Sequence, residues 1–203
     1  LLSCNTGEIL LMLVASLLGW PAPLLPIQLL WINLVTDGFP ALALSLEPPE
    51  PGIMRRKPRA KKSAILDVPM ACGVLFQGVL VAAVSLTAFG LSYFRHPTNV
   101  EQAQAMAFCV LVYAELLRAV SARSRTLPVF KLGFFTNPYL LLAVLVSGLL
   151  QLSVTVSPFT QPIFGVSGHS GLEWFEIALL AALPMVVIES QKWLTSLWYK
   201  PPE

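Results

Sequence analysis

Long apolar segments separated by short polar ones dominate this 203-residue sequence. A helix needs about 20 apolar residues to cross the hydrocarbon core of a bilayer. Six segments reach or approach that length, and they predict transmembrane helices at residues 1–18, 26–46, 68–94, 101–120, 138–157 and 172–197. The first segment is shorter than a full span requires. The pattern therefore predicts an all-α fold, a polytopic membrane bundle of six transmembrane helices.

The polar connections carry the charge, and its distribution predicts the orientation of the helices. All but one of the 13 lysines and arginines lie in residues 47–68, in residues 118–137 or near the C-terminus, and the exception is Arg95. Cytoplasmic loops of membrane proteins are enriched in basic residues. This alternation places the basic loops and the C-terminus in the cytoplasm. A topology signal of this kind needs no nucleic-acid partner, and we expect none.

The composition agrees with a membrane protein and adds little chemistry of its own. Hydrophobic residues make up 56% of the chain and charged residues only 12%, whereas a soluble domain carries about 25% charged residues. The three cysteines, Cys4, Cys72 and Cys109, lie in apolar stretches without metal-type spacing, and we interpret them as small buried hydrophobes. The chain starts without Met or a basic leader, so we expect a piece of a longer protein.

Six polar residues lie inside the apolar segments, where ionisable groups are costly and usually functional. They are Asn5 and Glu8 in the first segment, Asn33, Thr36 and Asp37 in the second, and Glu115 in the fourth. Within each of the first two segments, the spacing puts these residues on one helix face. Gly38 and Pro40 directly follow the second group. They weaken the helix there, so that backbone carbonyls are free to face a cavity.

Every ligand atom that this set offers is an oxygen from an amide, a hydroxyl or a carboxylate, and no His or Cys joins it. Oxygen ligands suit hard cations, and calcium takes 6–8 of them. The set provides enough oxygen atoms for one complete calcium site but not for two. Arg118 lies one turn after Glu115 and could pair with it, which makes Arg118 a candidate modulator of the site.

Simpler explanations exist for some of the polar residues. Taken singly, Asn5 and Thr36 could be residues that hydrogen-bond between neighbouring helices. Glu176 and Glu189, in the last segment, are interpreted as carboxylates that reach the membrane interface. Asp37 and Glu8 are the hardest to explain without a ligand, and the face of Asn33, Thr36 and Asp37 beside the Gly and Pro break is the most specific signal.

One stretch of the chain closely resembles a known family. Residues 26–41, PIQLLWINLVTDGFPA, resemble the sixth transmembrane helix of calcium-pumping P-type ATPases. Residues 5–8, Asn-Thr-Gly-Glu, are similar to the ion-binding stretch of the fifth helix of that family. Residues 47–49 and 53–59 resemble the cytoplasmic loop that follows the sixth helix. The remaining four helices agree with the family mainly in number and spacing.

The resemblance implies a pump with ten transmembrane helices, of which residues 1–203 form the C-terminal transmembrane domain with the last six. It implies one calcium site formed by Asn5, Glu8, Thr36, Asp37 and Glu115, and a second to which Asn33 and Asp37 contribute. The second site also needs a helix that this sequence does not include. The phosphorylation, nucleotide-binding and actuator domains are absent as well. ATP and Mg²⁺ would therefore bind only to the parent protein, and Ca²⁺ would be the transported ion.

The position of Arg118 departs from the family pattern, which has a polar uncharged residue at about this place. A cation so close to Glu115 could neutralise its carboxylate or stand in for one bound ion. The resemblance therefore leaves open whether one or two calcium ions are carried.

The expected function is the membrane half of a pump that moves Ca²⁺ out of the cytoplasm with proton countertransport. Its expected partners are the lipid bilayer, calcium ions and the N-terminal part of the same pump, and its expected location is a bacterial plasma membrane. We expect the chain alone to transport nothing. The alternatives are a stand-alone six-helix cation transporter or channel, an inert truncated membrane fragment, and a pump for sodium or protons.

Overall fold

The computed structural model describes residues 1–49 and 67–198, and all the regular secondary structure within those ranges is helical. The long helices are α1 (Leu2–Leu17), α4 (Val68–Arg95), α5 (Val100–Ser121), α7 (Pro138–Val156) and α9 (Gly171–Trp198). The shorter ones are α2 (Pro26–Trp31), α3 (Gly38–Leu44), α6 (Val129–Leu132) and α8 (Gln161–Phe164), with a π-helical segment at Ile32–Thr36 and a 3₁₀ turn at Phe134–Thr136. The predicted all-α fold is confirmed. The basic residues at positions 55–62 and 200 lie outside the described ranges.

Five stretches of the described residues are long and apolar enough to cross a membrane. They are Pro26–Leu44, Val68–Arg95, Val100–Ser121, Pro138–Val156 and Gly171–Ser196. Helix α1 is apolar but has only 16 residues, which agrees with the short first segment seen in the sequence. The chain is an integral membrane protein.

Helix α5 forms the centre of the bundle. It packs against α4, α7 and α9, and 83% of its membrane-spanning stretch is buried, compared with 22% to 44% for the other spans. The outer helices present apolar residues such as Leu142, Leu145 and Leu149 on their exposed faces. An apolar outer face is what a lipid environment requires, so a polar residue on α5 is shielded from lipid by its neighbours.

Helix α1 lies against α4 through two glycines. A Cβ atom added to Gly78 would lie 2.8 Å from Thr6 Cγ2 and 3.2 Å from the Gly7 nitrogen. A Cβ atom on Gly7 would in turn lie 3.4 Å from the Gly78 carbonyl oxygen. Small residues let membrane helices approach closely. This contact fixes the position of α1 and of the polar residues that it carries.

The predicted helix at residues 26–46 is interrupted near the expected weak point at Gly38 and Pro40, and the chain there forms α2, a π-helical segment and α3 in succession. The Asp37 nitrogen donates to the Ile32 carbonyl at 2.9 Å, five residues back. Pro40 has no N–H group and cannot donate to the Thr36 carbonyl four residues back, so the regular hydrogen-bond ladder cannot continue. Ser147 on α7 donates to the Val35 carbonyl at 3.0 Å and stabilises the irregular turn.

A buried ion-pair network holds the end of α3 against the connection between α5 and α7. Arg123 donates to both carboxylate oxygens of Glu47, with an ion-pair distance of 2.8 Å. Asn137 donates to the second Glu47 oxygen at 2.7 Å and to the Ala43 carbonyl at 3.2 Å. The segment on the C-terminal side of the π-helical turn is thus anchored at its end.

Candidate cation site

Three side chains from separate elements meet in the interior of the bundle. Cys4 lies on α1, Asp37 at the break after the π-helical segment, and Glu115 on α5. Their sulfur and carboxylate oxygen atoms all lie within 4.8 Å of one another. Only 5% of Cys4, 5% of Asp37 and 2% of Glu115 is exposed. The contact between these elements therefore forms a buried cluster of three potential ligands.

The carboxylates of this cluster are only partly satisfied by the protein, because the one hydrogen bond within this cluster of described residues joins Cys4 to Asp37. Both oxygens of Glu115 and Oδ2 of Asp37 are buried without a hydrogen-bond partner among the described residues. A buried polar group without a partner is costly, and a buried charge is more costly still. The arrangement is suited to a cation that binds oxygen ligands and whose positive charge balances the two carboxylates.

Glu8 and Asn33 form a neighbouring pair between α1 and the π-helical segment. Asn33 donates through Nδ2 to Glu8 Oε2 at 3.3 Å and to the Leu29 carbonyl at 3.0 Å. The other oxygen of Glu8 is buried and has no partner among the described residues. Of the six predicted ligands, the structure thus brings Asp37 together with Glu115, and Glu8 together with Asn33.

Thr36 and Asn5 are placed differently. Thr36 is buried, and its hydroxyl donates to the Ile32 carbonyl at 2.7 Å, one turn back. Its hydroxyl oxygen can still accept or coordinate. Asn5 is exposed on the surface of the described bundle, and so is Asn33. Both amides are therefore less enclosed by the described residues than the three carboxylates are.

Arg118 lies next to the cluster but does not form the expected ion pair with Glu115 among the described residues. Its Nη1 donates to Ser3 Oγ at 2.6 Å and to Gln77 Oε1 at 3.1 Å. Its Nη2 donates to the sulfur of Cys4. The guanidinium is buried and held by three neighbours, so a fixed positive charge borders the site.

The expectation that no cysteine joins the polar set was wrong, because Cys4 is part of the cluster. Cys4 and Cys109 are buried as expected, whereas Cys72 is exposed. The spacing of Cys4 and Glu8, one helical turn apart, is the signal that could have placed Cys4 on the same face. Sequence reasoning missed it because a cysteine in an apolar segment resembles an ordinary core residue.

Glu176 and Glu189 on α9 have other partners and lie outside the cluster. Glu176 accepts two hydrogen bonds from Arg95, at 2.7 and 2.9 Å. Glu189 pairs with Lys192 at 3.0 Å and accepts from the Val129 nitrogen at 2.8 Å. These contacts satisfy the carboxylates of Glu176 and Glu189, whereas both oxygens of Glu115 and one of Asp37 have no partner in the described part of the chain.

A comparison with known protein families identifies the family of this helical bundle. The family described as "Cation transporting ATPase, C-terminus" matches residues 21–194. This chain belongs to that family. The match covers most of the chain, including the Asp37 break and Glu115, and it confirms the resemblance identified at residues 26–41.

Similar curated proteins share this membership and are considerably longer. The chain is 38% identical over 206 residues to "Calcium-transporting ATPase 1" of Bacillus cereus and 43% identical over 188 residues to "Calcium-transporting ATPase" of Bacillus subtilis. It is 32% identical over 199 residues to "Calcium-transporting ATPase type 2C member 2" of Mus musculus. The matches cover 93%, 93% and 98% of this chain but only 23%, 21% and 21% of the relatives. The chain therefore spans about a fifth of each relative's length.

Proposed function

We propose that this chain is the ion-binding membrane half of an ATP-driven pump that moves Ca²⁺ out of the cytoplasm. The observation that carries the proposal is the pair of buried carboxylates of Asp37 and Glu115 inside an apolar bundle, three of whose four oxygens have no hydrogen-bond partner among the described residues. Their oxygen ligands suit calcium. The names of the relatives from two Bacillus species and from mouse support the choice of ion.

The proposed calcium ligands come from three parts of the bundle. Glu8 is supplied by α1, Glu115 by α5, and Asn33, Thr36 and Asp37 by the irregular turn between α2 and α3. Asn5 lies on the same helix as Glu8 and completes the set. Because Asp37 lies where the helix is interrupted, a small change in the π-helical turn would move its carboxylate relative to Glu115. Such a movement would open or close the site.

ATP hydrolysis in this proposal belongs to other parts of the parent protein, which would bind ATP and Mg²⁺. The energy of phosphorylation would reach the site through movement of the membrane helices. The residues of this chain would bind calcium, release it on the far side and keep the path closed between these events. The chain alone would not transport.

Proton countertransport follows from the same buried carboxylates. After calcium leaves, Glu8, Asp37 and Glu115 would carry negative charge in a low-dielectric interior, which is costly. Proton uptake from the far side would neutralise them, and calcium arriving from the cytoplasm would displace the protons. Calcium uptake with no accompanying proton efflux would contradict this part of the proposal.

The orientation is proposed from the basic residues. In the described part of the chain, Lys192 on α9 donates to Ser121 at the end of α5, and Lys131 donates to Ser196. These lysines therefore share one end of the bundle, which we assign to the cytoplasm by the enrichment of basic residues there. A bacterial plasma membrane is the proposed location.

The test is ATP-driven uptake of ⁴⁵Ca into inverted membrane vesicles that contain the full-length parent protein. We expect uptake by the wild type. In Asp37→Asn, we expect uptake to fall at least about tenfold, because the proposed calcium site loses a charged ligand. Glu176→Gln is the matched control, since Glu176 pairs with Arg95 outside the cluster. A pH-sensitive dye inside the same vesicles reports the proton movement.

The outcomes separate the parts of the proposal. A wild-type protein that transports no calcium would overturn the assignment of the ion. Calcium uptake that persists in Asp37→Asn would retain the pump and move its site away from the break. An equal loss in Glu176→Gln would show that the assay reports folding and not ion binding.

A further inference from the structure

The thiol of Cys4 brings a different kind of ligand to the interior of this bundle. Its sulfur lies within 4.8 Å of a carboxylate oxygen of Asp37 and of Glu115, and all three residues are buried. Calcium prefers oxygen ligands and gains little from a sulfur atom, whereas thiolates select softer metals such as zinc. The thiol hydrogen-bonds to Asp37 and accepts from Arg118, but the proposed calcium site makes no use of its sulfur.

We propose that Cys4, Asp37 and Glu115 form a binding site for a thiophilic divalent cation of the Zn²⁺ and Cd²⁺ class. This site shares two carboxylates with the proposed calcium site, so the two kinds of ion compete. The binding itself requires only the three ligands, and the competition rests on the proposed function.

The unpartnered carboxylates point to a ligand independently of the cysteine. Both Glu115 oxygens and Asp37 Oδ2 are buried and lack hydrogen-bond partners among the described residues. One carboxylate oxygen of each of these residues lies within 4.8 Å of the sulfur. A metal bound by all three residues would satisfy the carboxylates and the thiolate at once.

The thiol adds a third anionic ligand to the cluster when a thiophilic metal binds. Such a metal displaces the thiol proton, so Cys4 would bind it together with the carboxylates of Asp37 and Glu115. Calcium gains little from the sulfur, so this contribution favours zinc or cadmium over calcium.

The three ligand atoms need to move only slightly closer together to bind a zinc ion. Ligand atoms around a tetrahedral zinc lie about 3.3–3.8 Å apart, as bond lengths of 2.0–2.3 Å require. The three ligand atoms lie within 4.8 Å of one another. A shift of about 1 Å or less in the side chains closes this difference, and a water molecule can supply the fourth ligand, as in open zinc sites.

Cadmium binding to the purified full-length protein tests the site, with Cd²⁺ itself as the probe. Ultraviolet absorbance detects the cadmium–thiolate bond directly. We expect a charge-transfer band in the wild type that is absent in Cys4→Ser, with cadmium affinity at least about tenfold lower because a soft ligand is replaced by a hard one. The matched controls are Cys72→Ser, which changes an exposed cysteine, and Cys109→Ser, which changes a buried one elsewhere. Both should keep the band.

Glu115→Gln provides a second test that leaves the thiol in place. We expect its charge-transfer band to remain at saturating cadmium, while the cadmium affinity falls by about tenfold because a charged ligand is lost. A band of unchanged strength and affinity in Cys4→Ser would overturn the site. So would a cadmium affinity in Glu115→Gln equal to that of the wild type.

The calcium assay separates this inference from the proposed function. In wild-type vesicles, added Cd²⁺ should inhibit ⁴⁵Ca uptake, and raising the calcium concentration should relieve the inhibition. If the wild type transports no calcium but shows the Cys4-dependent band, the metal site stands and the calcium pump falls. If it transports calcium but lacks the band, the pump stands and the metal site falls.

Discussion

His169 is a half-buried side chain at the end of the bundle opposite the basic loops. It lies in the connection before α9, with Nδ1 3.4 Å from Gln102 Nε2 and Nε2 3.5 Å from the sulfur of Cys109. Its ring meets Trp174 edge-on at 5.4 Å. Burial lowers the pKa of this imidazole, and the nearby Glu173 carboxylate only partly opposes that effect. The folded protein therefore favours the neutral ring.

This burial predicts a pH dependence of stability. Above the ordinary histidine pKa of about 6.5, the ring is neutral in both the folded and the unfolded chain. As the pH falls below that value, the unfolded chain takes up the proton more readily, so the free energy of unfolding decreases. Between about pH 7.5 and 5.5, the melting temperature of the wild type should fall by roughly 2 °C or more beyond that of His169→Gln.

Thermal unfolding in detergent at a series of pH values measures this difference. His96→Gln is the matched control, because His96 is exposed. It should retain the pH dependence of the wild type. If the melting temperatures of the wild type and His169→Gln change identically with pH, the His169 imidazole does not contribute to the pH dependence of stability.

Residue-level prediction from the sequence was good for carboxylates and poor for other side chains. Asp37 and Glu115 were found because a charged residue in an apolar segment is costly without a ligand. Cys4 was missed because a thiol carries no such cost. The hydrogen bonds of Arg118 to Ser3 and Gln77 depend on contacts between distant parts of the chain, which no local pattern contains.

Among the elements, the contact between α1 and α4 leaves little room for a larger side chain. Gly78 meets Thr6 and Gly7 so closely that any side chain there must push α1 away. Gly73, one and a half turns earlier on α4, has no atom within 4 Å of its Cβ position. The two glycines therefore offer the same substitution in a tight and in an open environment.

Gly78→Ala should destabilise the protein by about 1–3 kcal/mol, the usual cost of overpacking a well-packed interior. Gly73→Ala should be neutral or slightly stabilising, since alanine is favoured over glycine in a helix. Chemical or thermal unfolding of the two variants measures the difference. Equal stability of both variants would mean that the α1–α4 contact yields without cost.

The helices themselves were predictable because their length is set by the membrane. The apolar segments end where polar and turn-forming residues begin, and the long helices end within two residues of the predicted ranges. The irregularity near Asp37 was predicted as a weak point from Gly38 and Pro40. Its form, a π-helical turn held by Ser147, required the contact with α7 and could not be seen in the sequence.

For the molecule as a whole, the fixed charge of Arg118 bears on how many ions are carried. The guanidinium does not pair with Glu115 as the sequence suggested, but it donates to the sulfur of Cys4 at the edge of the cluster. A cation that is always present takes up part of the charge that calcium would otherwise neutralise. We therefore expect the parent protein to move one calcium ion per ATP.

The ratio of ⁴⁵Ca uptake to ATP hydrolysis in tightly coupled vesicles measures this number. Arg118→Gln is the informative variant, because it removes the charge and retains hydrogen-bonding capacity toward Ser3. A rise in calcium transported per ATP in this variant would agree with the prediction. A ratio of two in the wild type would contradict it.

The arrangement of the whole bundle was the least predictable level. The sequence indicated which segments are helices, but not that α5 would be the central helix or that Asn5 and Asn33 would be exposed. Such placement depends on which faces pack together, and uniformly apolar helices do not show that in their pattern.

The π-helical turn has one more consequence, which concerns deletions. A π-helical turn contains one residue more than the α-helical turn it replaces. The extra residue is taken up within that turn, so the helical segments on its two sides keep nearly the orientation that an uninterrupted helix would give them. Loss of a single residue from α2 has no such turn to absorb it, and everything beyond the deletion would rotate by about 100° relative to the residues before it. The hydrophobicity of the segment would hardly change, yet Asp37 would leave Glu115. The cluster thus depends on residue number as well as on residue type, and a chain one residue shorter in α2 would retain a membrane helix and lose the meeting of its carboxylates.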